Sequence, residues 1–224
     1  VAAIEALARL GGERAFEALS AAATGGDLDQ RRAALIGLGL SARQQAIPLL
    51  VRHAEANDVA TRLIAISALA NFDTPETLAV LARALDDRDE NVRAAAIGFL
   101  GKRGSTEATL VLAALLKDPE RAQRAHAALC QPQAERVAGL CMALYAADDE
   151  HAIQLTHVLA RLNQAEATEA LFEALTVDNP AARKAAATTL AAIGSGEAHA
   201  ALRRMAKEDS DPEVRRVCHL LLAQ

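Results

Sequence analysis

One arginine recurs along this chain at a nearly fixed interval. Arg31, Arg62, Arg93 and Arg124 are each 31 residues apart, and Arg183 and Arg215 are 32 apart. Four residues before these arginines stand Asp27, Asp58, Asp89, Glu120, Asn179 and Asp211. Seven residues after most of them come Leu38, Leu69, Leu100, Leu190 and Leu222. Between Arg124 and Arg183 one unit keeps the frame without the arginine, with Ala152 in its slot, Asp148 before it and Leu159 after it. A period of roughly 20–50 residues marks a repeat architecture, in which no unit can bury its apolar face alone and each must stack on its neighbours.

Each unit reads as two helices. The first opens at an acidic or Asn residue suited to cap free amides, with Pro119, Pro180 or Pro212 in the first turn of three units. It stops at a glycine turn such as Gly101 to Gly104 or Gly194 to Gly196, and the second helix follows, as in "STEATLVLAALLKD" or "GEAHAALRRMAKED". Hydrophobic residues make up 52% of the chain but aromatics only 2%, so helices must approach through small side chains such as Ala94 to Ala96 and Ala185 to Ala187. The expectation is an all-α, right-handed α-solenoid of about seven helical pairs. It forms one domain over 1–224, with units near 1–26, 27–57, 58–88, 89–117, 118–147, 148–177, 178–210 and 211–224.

Asp89 to Gly104, "DENVRAAAIGFLGKRG", resembles the HEAT-like repeat of phycobilin lyases, and the resemblance extends over essentially the whole chain. It implies the solenoid fold. For function it implies a range that includes scaffolds, adaptors, chromophore-lyase subunits and DNA glycosylases. Val1 falls directly after the place of a first arginine, so upstream sequence is expected to be missing. The unit at 118–147 departs most, with Pro132 in place of the glycine turn, and irregular stacking is expected there.

A ladder of Asp27, Arg31, Asp58, Arg62, Asp89, Arg93, Glu120, Arg124, Arg183, Asp211 and Arg215 is the most regular constellation. Catalysis needs one perturbed pair in a cleft rather than near-copies at every repeat, so the ladder reads as structural. Each acid caps a helix, and each arginine bridges to the acid of the next unit. Histidines His53, His126, His151, His157, His199 and His219 show no HExxH and no i, i+4 pair. His126, His151 and His157 lie on the first helices of adjacent units and could converge. "GKRG" at 101–104 follows no strand and reads as a structural turn. Cys130, Cys141 and Cys218 have no CxxC spacing and read as core thiols of a cytoplasmic protein. No catalytic, metal or cofactor residue is assigned.

A net charge of −5, one Tyr and four Phe argue against nucleic acid as partner, and the longest apolar run, "LVLAALL" at 110–116, falls far short of the ~18 residues of a membrane span. What remains is a surface. In proteins of the resembled family the first helix lines the concave side, and its exposed line takes the residue after the arginine and every fourth residue onward. That line begins at Val1, Glu5 and Arg9. It carries Arg32, Ile36, Leu40, Leu63, Ser67, Asn71, Lys102, Leu129, His157, Arg161 and Lys184 as candidate partner-binding residues. Its apolar middle and basic rim suit a peptide or helix of another protein. The expected role is a non-enzymatic scaffold or adaptor. The alternatives are a chromophore-lyase-like subunit, a HEAT-like DNA-binding protein, or a line whose Ile36, Leu40 and Leu63 are merely covered by neighbouring second helices.

Overall fold

A computed structural model describes residues 12–162 and 165–223. Val1, Glu5 and Arg9 lie outside the described residues. Among those described, helices are the only regular structure. In chain order they are α1 (Glu13–Gly25), α2 (Leu28–Leu40), α3 (Ile47–Ala54), α4 (Val59–Leu69), α5 (Pro75–Ala84), α6 (Glu90–Gly101) and α7 (Thr106–Ala114). There follow α8 (Ala122–Leu129), α9 (Arg136–Tyr145), α10 (Asp149–Leu162), α11 (Ala165–Ala174), α12 (Pro180–Ile193), α13 (Gly196–Glu208) and α14 (Pro212–Leu222).

Their starts follow from the caps. Asp27 accepts the Gln30 N–H at 2.8 Å while Gln30 Oε1 accepts the Asp27 N–H, a reciprocal capping box. Asp58, Asp89, Asn179 and Asp211 likewise accept amides of the first turns of α4, α6, α12 and α14. Pro180 and Pro212 occupy the first helical position, where a missing N–H costs nothing. Gly194, at φ 73°, ends α12 in the left-handed region that glycine enters without strain.

Glu120 does not cap its helix, contrary to the ladder's period. Asp118 accepts the Glu120 and Arg121 N–H groups at 2.9 and 3.3 Å, because Pro119 turns the chain just after it. α8 therefore starts late and is only eight residues long.

The chain divides into two compact units between Leu100 and Gly101. In the first, α1 packs on α2, first helices α2 and α4 lie side by side, and α3 and α5 form the layer behind them. In the second, α10, α12 and α14 succeed one another as first helices, and α7, α9 and α11 as second helices. Leu38, Leu69, Leu100 and Leu190, the repeated leucines, are fully buried, and Leu222 is half-buried. Contact between first helices is close: a Cβ added to Gly39 would lie 2.6 Å from Ala68 Cβ.

The arginines hold this stacking. Arg62 donates from Nε and Nη2 to Asp87, both at 2.8 Å, and from Nη1 to the Ala56 and Asn57 carbonyls at 3.0 Å. Arg183 does the same with Asp209 at 2.9 Å and with the Val177 and Asp178 carbonyls. The bridging carboxylate is thus not the cap but the residue two before it. Arg31, Arg93 and Arg215 reach carbonyls of the loop ahead of their own helix, at Gly26, Asp87 and Asp209.

Candidate functional site

The exposed line of first helices opens a groove in each unit. In the first, residues four apart on α2 and α4 share a face. Ile36 and Leu40 from α2, Leu63 and Ser67 from α4 and the following Asn71 line a groove of about 400 Å³. Ile36 is 43% and Leu40 61% exposed, so neighbouring second helices do not cover them; Leu63 is half-buried. The Asn71 amide donates to the Gly39 carbonyl at 3.4 Å and closes one end. Ile64 and Ala68, which the sequence line misses, complete the wall.

In the second unit His157, Ala160 and Arg161 of α10 face Thr188, Thr189, Ala192 and Ile193 of α12, with His126 of α8 at the edge. The groove measures about 500 Å³. Burial, followed by the positive charges of Arg161 and His157, holds the His126 pKa below its ordinary value. His151 does not join these two histidines. It is buried, and its Nε2 donates to the Ala113 carbonyl at 2.9 Å. Among the described residues, no group of three or more His, Cys, Asp or Glu is placed to hold a metal ion.

The remaining members of the line fare differently. Leu129 is fully buried and cannot be a contact residue, and Ala125 before it is buried too. On α8 the groove is reached instead by the half-buried His126, one residue on from Ala125. Arg32 is tied to Asp58 at 2.6 Å and Lys184 to Asp149 at 2.7 Å, so two of the five expected rim cations carry an internal anion. Lys102 is exposed in the turn after α6 and lines neither groove.

The "GKRG" turn is held from both ends. Arg136, fully buried on α9, donates to the Gly101 carbonyl at 2.7 Å, and the Glu135 N–H donates to the Gly104 carbonyl at 2.9 Å. The Glu135 carboxylate accepts the Thr106 N–H and hydroxyl at the start of α7. Both contacts hold the turn against α9, as a turn between stacked helices requires. The cysteines are all free thiols; burial, above all, raises each pKa, that of Cys218 to about 11, so none is primed as a nucleophile. Among the described residues no helix is long and apolar enough to cross a membrane.

Comparison with known families matches residues 18–87, 53–130 and 137–223 to HEAT repeats, and residues 1–24 to the PBS lyase HEAT-like repeat. No curated protein matches. Among solved structures, human deoxyhypusine hydroxylase is 22% identical, with 99% of this chain and 88% of that one covered and a TM-score of 0.40. The complex of CpcE and CpcF of phycocyanin lyase from Nostoc sp. PCC7120 gives 20% identity, 95% coverage of both chains and a TM-score of 0.49. Kap95p bound to RanGDP gives 17%, with 96% of this chain and 36% of that one covered and a TM-score of 0.49.

Proposed function

The chain belongs to the HEAT repeat family, and from that premise we propose that it is a non-enzymatic scaffold or adaptor that takes a peptide or helix of a partner protein onto the exposed line of its first helices. The observation that carries this reading is the apolar groove of Ile36, Leu40 and Leu63, open to solvent on helices whose other faces are spent on stacking. An amphipathic helix or extended segment would bury its apolar side chains there, with Ser67 and Asn71 meeting its backbone. Three free thiols, none paired, agree with a cytoplasmic setting.

The test is affinity capture from a lysate of the source, with the parent chain beside the Ile36→Asp/Leu63→Asp double variant and the single variant Leu40→Asp. Leu40 is mostly exposed, so its substitution spares the core. A protein retained by the parent and lost from both variants, with helical circular dichroism unchanged, is the expected outcome. Equal retention by all three chains sinks the reading. The match of residues 1–24 to a lyase-type repeat supports a second reading, a chromophore-lyase-like subunit. Its signature is a tetrapyrrole absorbance band carried by the purified chain, in place of a protein partner.

A further inference from the structure

The groove in the second unit sets the Arg161 guanidinium beside His157 and His126, and among the described residues no carboxylate lines it. His157 and Arg161, four residues apart on α10, project from one face, and His126 of α8 stands near enough for both charges to act on it. No carboxylate lines the groove; the nearby Asp149 is occupied by Lys184. The opposite wall is apolar, formed by Ala192 and the 46% exposed Ile193, with Ala160 between the cations. Arg161 is a fixed, exposed positive charge with no carboxylate in the groove to meet it, so an incoming negative group would find it unopposed. Thr188 already donates its hydroxyl to the Lys184 carbonyl at 2.9 Å, so it has no proton for an incoming carboxylate, whose hydrogen bonds fall to Arg161 and the histidines.

We infer that this groove is a receptor for a carboxylate, the Asp or Glu side chain of a partner segment, flanked by an apolar residue that lies on Ala160, Ala192 and Ile193. The inference rests on the scaffold reading and adds to it the chemistry of what is bound. Besides His157 and Arg161, the titratable groups near His126 are Cys130, whose Sγ lies 3.7 Å from His126 Nδ1, and Arg136 of α9 behind Cys130; α12 lines the groove with no titratable group. A bound carboxylate stabilises the imidazolium form of His126, whose pKa burial and the Arg161 charge hold below 6.5, so binding takes up a proton and strengthens as pH falls through and below that value, while the ligand stays ionised.

The experiment uses the whole chain and two pools of fluorescein-labelled peptides, one with a fixed Leu-x-x-Glu core and one with Gln in place of Glu, read by fluorescence anisotropy. The Glu pool is expected to bind about tenfold tighter than the Gln pool, in line with charge-assisted hydrogen bonds. Binding should tighten towards pH 6, and the imidazole proton resonances of His126 and His157 should move on titration. The exposed-residue double variant His157→Gln/Arg161→Gln should bring the Glu pool down to the Gln level. Equal binding of the two pools, binding of neither, or preference for a phosphoserine pool over the Glu pool would each overturn the inference. The capture experiment separates the two failures. A partner lost from Leu40→Asp but fully kept by His157→Gln/Arg161→Gln leaves the scaffold reading standing and removes this one, whereas a partner kept by both removes both.

Discussion

Replacing Arg183 by Met measures how much of the stacking depends on the buried arginine. The guanidinium spans from α12 to the turn ahead of α14: two N–H groups go to the Asp209 carboxylate at 2.9 Å, and Nη1 goes to two carbonyls at 2.8 and 2.9 Å. Both side chains of the pair are buried, and the Asp209 hydrogen bond is the largest of the influences that raise the Arg183 pKa. Met keeps the apolar stem but strands a buried carboxylate and two carbonyls. Removing one partner of a buried pair costs about 3–5 kcal/mol, against a much smaller loss when both charges go. The companion variant Arg183→Met/Asp209→Asn leaves the Asn oxygen to accept the Asp211 N–H, which Asp209 accepts at 2.9 Å in the parent. It should therefore recover part of the loss, with a coupling energy of about 1–3 kcal/mol. Urea unfolding followed by circular dichroism gives the totals. Hydrogen exchange over α12 to α14 locates the loss, since stacked repeats open regionally. A single variant within about 0.5 kcal/mol of the parent, or a coupling energy of zero, would refute the reasoning.

Two glycines should respond to alanine with opposite signs. At Gly39 the new Cβ would meet Ala68 Cβ at 2.6 Å and Cα at 2.8 Å, forcing α2 and α4 apart at about 1–3 kcal/mol. At Gly98, exposed on α6, a Cβ meets nothing within 4 Å, and alanine should stabilise by about 0.5–1 kcal/mol. Thermal melts that move in the same direction would contradict the close approach of the first helices. The pH dependence should report the other ladder pair. Burial pushes the Asp87 carboxyl up, but hydrogen bonds from Arg62 and the Asp89 amide, with the Arg62 charge, more than offset this and hold it below the ordinary 3.8. A carboxylate with a depressed folded-state pKa contributes stability that is present above its unfolded pKa and lost as pH falls through the folded one. Unfolding free energy should thus drop as the pH falls below about 4, and drop less steeply in Arg62→Met. Parallel slopes for the two chains would sink the assignment.

The repeat was legible because its marks are local. Caps such as Asp27 and Asp58, the buried Leu38 and Leu69, and the glycine of Gly194 act within one helix, so their spacing transfers directly to the fold. The bridging acids were missed because they belong to a neighbouring unit, 25 or 26 residues on from the arginine they meet. The signal existed as Asp-x-Asp at 87–89 and 209–211, where only the second position repeats from unit to unit, as an acid or Asn. Where Ala56 replaces the first, Arg31 turns to the Gly26 carbonyl.

The contact line failed where the unit itself departs from the frame. Asp118 and Pro119 delay α8, and on it Leu129 is fully buried while the half-buried His126 lines the groove. The same unit supplies Arg136, a fully buried cation that meets only neutral acceptors at Gly101, Thr109 and Gln131. Burial lowers its pKa, yet the guanidinium locks α9 onto the preceding turn. Stacking asks the same of every repeat, so residues that serve it are copied from unit to unit. The grooves differ in the side chains that fill the periodic line, and in residues beside it such as Ile64 and His126 that the line misses. Ile36 and Leu40 make one groove apolar, while Arg161 gives the other a positive charge beside His126 and His157. The period places the line in every repeat, and the side chains that fill it distinguish one groove from the other.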